Sequence, residues 1–482
     1  MSSKLCNEIL AYAIAYDERV TGSNIHVSVH WPDGYRKNFV VDSGLFFGEQ
    51  EKYNFKLPYK AEKVDFSFCT HGHIDHSGAF PSLIYKGFGG PIYSSKGTAK
   101  IFSNMVGNSS GIILQEYKRF KQRPPFTVDD VRRCIENVES HAKDYFVEYE
   151  YKGRVFFTFI PNQHIFGSSS ILVRLTDPNP DVKDVVLFFS GDYNDRNLFI
   201  PEIVLPDNVT QVNPACMFIE STYGDSKSED IKYLFEQSLR EFMDKYDTLI
   251  INAFAFGRMQ DFLFLLKMAQ DKDIITDDIE IWIDGSLGIS NTFLILKNPE
   301  TFLIKDSARK FLPRNLNIAS KDFRESIASS PNKKIIVTSS GDGSFGPARQ
   351  YLSWKVSDEK TLILFGGYCT KDSLGYKLIH TPYGECVDMF GYSPIKKATV
   401  YNIEEVSAHG RSDVQENYVR IMQPKSVIVN HGDPEKQEAE KTDIQKTIHP
   451  SKGTYVSSRD TVFVINSYGV KKVINNCKLK YF

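Results

Sequence analysis

The chain has 482 residues, enough for two or three domains, each with an apolar core of its own. Apolar residues make up 41% and charged residues 24%, the balance of an ordinary globular protein, and the longest apolar runs fall far short of a membrane span. A net charge of −2 provides no global basic field, so any contact with nucleic acid has to be local.

Cys6, Cys69, Cys134, Cys216, Cys369, Cys386 and Cys477 are odd in number, scattered, and without a CxxC pair. They read as reduced thiols, not as a disulfide framework or zinc ribbon. The opening MSSKLCNEIL carries no basic-then-apolar leader, so the expected location is the cytoplasm, with no membrane partner.

Along the chain, short runs rich in Val, Ile and Phe end in polar, often Gly-containing residues. The first is 39–41 before Asp42, followed by 64–69 before His71. A basic cluster, Lys118, Arg119, Lys121 and Arg123, then precedes the runs 155–160 before His164, 185–189 before Asp192 and 217–219 before Glu220. Helical patterns cover 231–245 and 258–272, with further basic residues at Lys305, Arg309, Lys310 and Arg314. The last runs are 335–337 before Ser339, 362–365 before Gly366 and 427–429 before His431. Each run reads as the core of a buried strand, and strands alternating with helices predict an α/β fold. Six of the eleven histidines lie in the polar loops, at the strand ends where α/β sheets place their chemistry.

Residues 70–78 read Thr-His-Gly-His-Ile-Asp-His-Ser-Gly. Three imidazoles and a carboxylate within six residues, following a strand, can supply ligands to two adjacent metal ions. His164 in PNQHIFGSSS and Asp192 in FFSGDYN are further candidates at comparable strand ends. Neutral imidazoles with a few carboxylates suit zinc, with manganese as a substitute.

His71, His73, Asp75 and His76, then His164, Asp192 and His431, resemble the ordered ligand set of the metallo-β-lactamase superfamily. Asp42 in VVDSG resembles that superfamily's first motif, a buried carboxylate behind the ligand loop, and GAFPSLIYKGFGGPIYSS resembles its next helix and strand. The resemblance implies an αββα sandwich with the metals at one sheet edge. On that pattern His71, His73 and His164 serve one ion, Asp75, His76 and His431 the other, and Asp192 bridges them. Two Zn2+ are expected, with Mn2+ able to replace them.

The second half carries IESTYG at 219–224, AFAFGRMQ at 253–260, SSGDGSFGPARQY at 339–351, LFGGYCTKDSLG at 364–375, VSAHG at 406–410 and VNHGDP at 429–434. This ordered series resembles the β-CASP nucleases, a group that includes ribonuclease J and the nuclease of mRNA 3′-end cleavage. The resemblance implies a second α/β domain inserted in the first: 1–219 and 397–482 forming the metallo-β-lactamase domain, 220–396 the insertion, and substrate between them. Glu220, His409 and His431 match the group's three late motifs. His409 is then the expected general acid with Glu220 fixing its tautomer, and Asp75 and Asp42 complete the expected catalytic set. A histidine at the third late motif resembles the RNA-directed members, so the expected reaction is hydrolysis of single-stranded RNA to 5′-phosphate and 3′-hydroxyl ends. A DNA-directed nuclease, a metal-free RNA-processing scaffold and a small-molecule esterase or lactamase are the alternatives. A homodimer is compatible with this reading, and the abundance of Lys, Asn, Ile, Phe and Tyr hints at an AT-rich bacterial genome.

For substrate contacts, the Gly-rich loop with Ser339, Ser340, Gly341, Gly343 and Gly346 could offer backbone N–H groups to a phosphate. Arg258, opening a helix after Gly257, could meet the nucleic-acid backbone or simply pack there. Phe254 and Phe256 are expected in the core.

Overall fold

The computed structural model describes residues 7–476 except 18, 368, 370 and 372, so Cys6, Cys477 and three positions of the 364–375 motif lie outside the described residues. The chain divides into two compact units. The first comprises Met1–Asn197, Glu202–Ser228 and His409–Phe482; the second comprises Leu198–Pro201 and Glu229–Ala408.

The first unit holds two sheets. One has eight strands in the order Gly469–Ile474, Val462–Asn466, Leu10–Ala15, Ile25–His30, Arg36–Val41, Phe66–Cys69, Ile92–Ser95 and Ala142–Lys143. The other has seven, in the order Thr454–Val456, Val427–Asn430, Cys216–Glu220, Val185–Phe189, Ser169–Leu175, Val155–Pro161 and Glu148–Tyr151. A shared core joins their inner faces, with Val27, Phe39, Phe66 and Phe68 from the first meeting Phe157, Val173, Leu187 and Phe218 from the second. The outer face of the first sheet packs Phe80, Leu83, Phe102 and Val138 from helices, and that of the second packs Tyr418, Met422 and Ile444. This is an αββα sandwich, buried on both faces of each sheet, which is why its central strands read as unbroken apolar runs.

Local chemistry sets the helix starts. Ser95 Oγ accepts from Thr98 N (3.0 Å) at the head of the 24-residue helix Lys96–Arg119, a helix the apolar-run pattern does not reveal. Thr127 and Asp130 cap Val128–Ser140 reciprocally, through Asp130 N to Thr127 Oγ1 (3.2 Å) and Thr127 N to Asp130 Oδ2 (2.8 Å).

The second unit is built on a six-stranded, wholly parallel sheet in the order Leu316–Ile318, Glu280–Asp284, Lys334–Thr338, Thr248–Asn252, Thr361–Phe365 and Thr399–Asn402. The central strands TLIIN, KIIVT and TLILF are buried throughout. Helices Arg258–Asp271 and Gly346–Lys355 bury Phe262, Leu263, Tyr351 and Leu352.

The unit borders differ from the expected 220–396 insertion. Residues 221–228 stay with the first unit because Ser412 N donates to Ser226 O (2.9 Å) and Ser228 N to Asp413 Oδ1 (2.8 Å). At the return, strand Thr399–Asn402 pairs with Thr361–Phe365 and so belongs to the second unit. Among the described residues no helix is long and apolar enough to cross a membrane.

Candidate metal centre

All the expected ligands belong to the first unit and leave the ends of its strands. Strand Phe66–Cys69 delivers Thr70 and His71, and the short helix Ile74–Ser77 turns Asp75 and His76 inward. The Asp42 loop backs this turn: Ser43 N donates to His76 O (2.8 Å) and Leu45 N to Ile74 O (3.0 Å). Gly44 lies so close that a Cβ there would stand 1.5 Å from Asp75 O, so no other residue fits without moving the ligand turn.

Asp42 carries out the supporting role expected of it. Its Oδ1 accepts from Thr70 N (2.7 Å), and its Oδ2 from Thr70 Oγ1 (2.8 Å) and His76 Nδ1 (2.7 Å). Because the Thr70 hydroxyl donates to Asp42, its lone pair faces His71 Nδ1 at 3.0 Å. Both rings therefore carry their proton on Nδ1 and turn Nε2 into the site. Asn162 joins two more loops, accepting from His164 N (3.2 Å) and donating to Asp192 O (2.9 Å).

His71, His73, His164 and Asp192 form one group of convergent donors, and Asp75, His76 and His431 another. His73 Nδ1 stands 3.2 Å from His71 Nε2 and 3.1 Å from His164 Nε2. Asp192 reaches both groups: Oδ2 is 3.7 Å from His71 Nε2 and 3.6 Å from His164 Nε2, and Oδ1 is 3.2 Å from His76 Nε2 and 3.3 Å from His431 Nδ1. Asp75 Oδ2 lies 3.7 Å from His431 Nε2.

These separations fit a metal. Nitrogens bound tetrahedrally at about 2.0–2.1 Å from zinc stand roughly 3.3–3.4 Å apart, close to the spacing among His71, His73 and His164. Asp192 Oδ1, His76 Nε2 and both ring nitrogens of His431 are buried without a hydrogen-bond partner, although they face one another. Asp192 Oδ1, with His76 Nε2 and His431 Nδ1 both close to it, marks a place suited to a cation.

The protonation pattern divides the two groups. Burial pushes His71 well below the usual imidazole range and His73 to about 4, so both are neutral at pH 7, the form that can bind a metal. Burial also opposes a charge on His76 and His431. There the carboxylates prevail: Asp192 and Asp42 hold His76 well above its ordinary value, and Asp192 with Asp75 hold His431 up to about 9. Burial works against ionised Asp192 too, but His431, His76 and His409 outweigh it and keep its carboxyl well below the usual range.

His409 and Glu220 meet beside this cluster. His409 Nδ1 is 2.9 Å from Glu220 Oε1, which also accepts from Tyr193 N (3.1 Å), while Glu220 Oε2 accepts from Thr222 N (2.9 Å). Glu220 therefore fixes the His409 ring, leaving Nε2 3.8 Å from Asp192 Oδ2. His409 is the more open of the pair, its side chain 17% exposed against 1% for Glu220.

The expected substrate contacts lie in the second unit, where Arg258, Ser339 and Ser340 are held in internal bonds. Arg258 is buried, with Nη1 2.8 Å from Asp261 Oδ2, and so packs at its helix start. In the Gly-rich loop, Ser344 N donates to Asp342 Oδ1 (3.1 Å), Phe345 N to Ser340 Oγ (3.2 Å) and Ala348 N to Ser339 O (2.9 Å). Phe256 is core, as expected. Phe254 is not: it is 41% exposed, seated against Gly341 and Gly367, where an added Cβ would come within 2.7 Å of its ring.

Residues 259–378 match the family model described as the Beta-Casp domain, and residues 394–452 match the one described as the Zn-dependent metallo-hydrolase RNA specificity domain. The chain is 26% identical to the probable RNase MJ4 of Methanocaldococcus jannaschii, over 83% of this chain and 88% of that protein. It is 22% identical to ribonuclease TTHA0252 of Thermus thermophilus, over 83% and 89%. It is also 25% identical to the transcription termination factor FttA of Methanococcus maripaludis over 82% of this chain, which spans 63% of that protein's length. Together these matches place a β-CASP domain in the chain and make the β-CASP family the one it resembles. In the first unit the donor set fits a metal cofactor, zinc by donor type. The sequence reading missed Asn162 and Thr70, whose only signal is a polar residue flanking a ligand.

Proposed function

We propose that this protein is a metal-dependent ribonuclease that hydrolyses RNA phosphodiester bonds, leaving 5′-phosphate and 3′-hydroxyl ends. The observation that carries the reading is the convergence of seven donor side chains beside a His409–Glu220 pair, on a chain that matches an RNA specificity domain. His71, His73 and His164 would hold one ion, Asp75, His76 and His431 a second, with Asp192 shared. Two ions held there would supply Lewis-acid activation of water and offset charge at the phosphate.

The chain's own residues account for the remaining chemistry. Asp42 and Thr70 orient His76 and His71 so that each presents Nε2, and Glu220 does the same for His409. Hydrolysis requires a proton for the departing 3′-oxygen. His409 Nε2, partly open to solvent and held by Glu220 through the other nitrogen, is suited to deliver it. A scaffold that had lost its chemistry would be expected to lose ligands, and here every ligand position is filled. The name of the matched specificity domain favours RNA over DNA. The unpaired thiols of Cys69, Cys134, Cys216, Cys369 and Cys386 suit the reducing cytoplasm.

A matched cleavage assay tests this reading. The purified chain would be given 5′- and 3′-labelled single-stranded RNA and the same sequence as DNA, with zinc, manganese or EDTA. Metal-dependent cutting of RNA over DNA is expected. Preferential cutting of DNA would move the assignment to a DNA nuclease, and no cutting of either polymer by metal-loaded protein would end the nuclease reading.

A further inference from the structure

Asp42 holds His76 through its Nδ1, but nothing equivalent is bonded to His431: both of its ring nitrogens lack a hydrogen-bond partner. His431 follows the strand Val427–Asn430 with φ at 50°, a left-handed conformation that a histidine adopts only when its surroundings impose it. Part of that constraint comes from the Glu220 loop, where Ser221 N (3.2 Å) and Thr222 Oγ1 (3.4 Å) donate to His431 O. The other part comes from the preceding residue. Asn430 Nδ2 donates to Asp17 Oδ2 (3.0 Å), and Asn430 O accepts from Ser221 Oγ (3.0 Å).

Asp17 lies two residues beyond the strand Leu10–Ala15 and is fully buried. A lone brace for Asn430 would not need a charged residue, since burying a carboxylate is unfavourable unless a positive charge answers it. Its second oxygen, Oδ1, has no hydrogen-bond partner. Burial pushes its carboxyl up to about 6, although His431, the bond from Asn430 and His76 pull the other way. Asp17 thus stands behind the centre, through Asn430, and it reaches that residue from the opposite end of the chain.

We propose that Asp17 is a positioning residue for His431: through Asn430 it fixes the backbone from which His431 projects, and its buried negative charge favours a cation in the Asp75–His76–His431 group. Where Asp42 bonds the His76 ring directly, Asp17 would act on His431 one residue removed, through Asn430. Carboxylates one step behind metal-binding imidazoles typically account for about 10- to 100-fold in metal affinity. This inference rests on the two-metal reading above, and its test separates the two.

The full chain, stripped of metal and dialysed against chelator-buffered zinc, would be assayed for bound zinc per chain by elemental analysis. Wild type, Asp17→Ala, Asp17→Asn and Asn430→Ala would be compared, with circular dichroism to confirm folding. Two ions are expected on wild type. In Asp17→Ala and Asn430→Ala one of them should weaken by about 10- to 100-fold while the other is unchanged. Asp17→Asn, which keeps an acceptor for Asn430, should restore part of that loss. Should Asp17→Ala not fold, Asp17→Asn against Asn430→Ala makes the same comparison, with the weaker loss in Asp17→Asn. Two equally tight ions in every folded variant would overturn the role of Asp17 and leave the two-metal reading intact. Fewer than two ions on wild type would overturn both.

Discussion

The strand ends of the first unit and those of the second treat buried polar groups in opposite ways. In the first, Asp192 Oδ1, His76 Nε2 and both His431 nitrogens face one another without a hydrogen bond. In the second, Asp284 takes Arg324 Nε (2.7 Å), Arg324 Nη2 (2.9 Å) and Tyr351 Oη (2.9 Å), Arg258 pairs with Asp261, and Ser340 and Ser344 close on Asp342. Asn252 Oδ1, Asn402 Oδ1 and Glu405 Oε2 are left over singly, but no described grouping of His, Cys, Asp or Glu able to hold an ion lies in that unit. A buried polar atom left unpaired is destabilising by about 1–3 kcal/mol, so four in contact persist where a ligand completes them. Unpaired atoms clustered together mark the chemistry of the first unit, whereas in the second they stand singly among closed networks.

The severest challenge to this contrast is His76→Ala. It removes a donor from the incomplete cluster and leaves Asp42 still bonded to Thr70, so the fold should persist while RNA hydrolysis falls to background. Unchanged cleavage would sink the ligand assignment. His409→Ala comes next. It should slow cleavage by about 10²- to 10⁴-fold, the scale of a lost general acid, with bound zinc unchanged. Loss of zinc along with rate would instead make His409 a ligand, an outcome its 3.8 Å approach to Asp192 makes worth measuring.

What could be read without coordinates follows from how local each signal is. The ligand loop packs four candidate donors into six residues, and parallel strands buried on both faces read as continuous apolar runs, so both were legible. Asp17 was not: its partner Asn430 is 413 positions away, and nothing beside it in the chain hints at the pairing. Phe254 follows a strand and reads as core, yet it is carried outward against Gly341 and Gly367, both distant in sequence. The Gly-rich loop invited a phosphate because its composition shows the donors but not that Asp342 and Ser340 already occupy them. The capping box at Thr127 is local, whereas the 24-residue helix before it, with both polar and apolar residues along its length, follows no apolar run.

Arg258→Ala probes the closed side of the comparison. Removing one partner of a buried pair strands Asp261, whose carboxyl burial already raises despite Arg258. The expected result is a loss of about 3–5 kcal/mol in the stability of the second unit, with zinc content unchanged. A stable variant whose only defect is a higher KM for RNA would show instead that Arg258 is a substrate contact.

His26 sharpens the contrast from within the first unit, because it is a buried imidazole outside the ligand groups. It stacks on Tyr59 with ring centroids 4.7 Å apart and planes 11° from parallel, and burial lowers its pKa to about 3. His431, equally buried but faced by Asp192 and Asp75, moves the other way. The folded pKa of His26 lies below the unfolded value of 6.5, so between the two the unfolded chain binds the extra proton. Its neutral form therefore contributes full stability above pH 6.5, and the contribution is lost as pH falls from there toward 3. The slope is about 1.4 kcal/mol per pH unit, or on the order of 2 kcal/mol by pH 5. His26→Phe keeps an aromatic ring against Tyr59 and removes the titration. Urea midpoints of the metal-free protein at pH 7.5 and 5 should therefore fall less in the variant than in wild type. An equal fall in both would mean that the acid sensitivity of this unit resides in the ligand cluster alone.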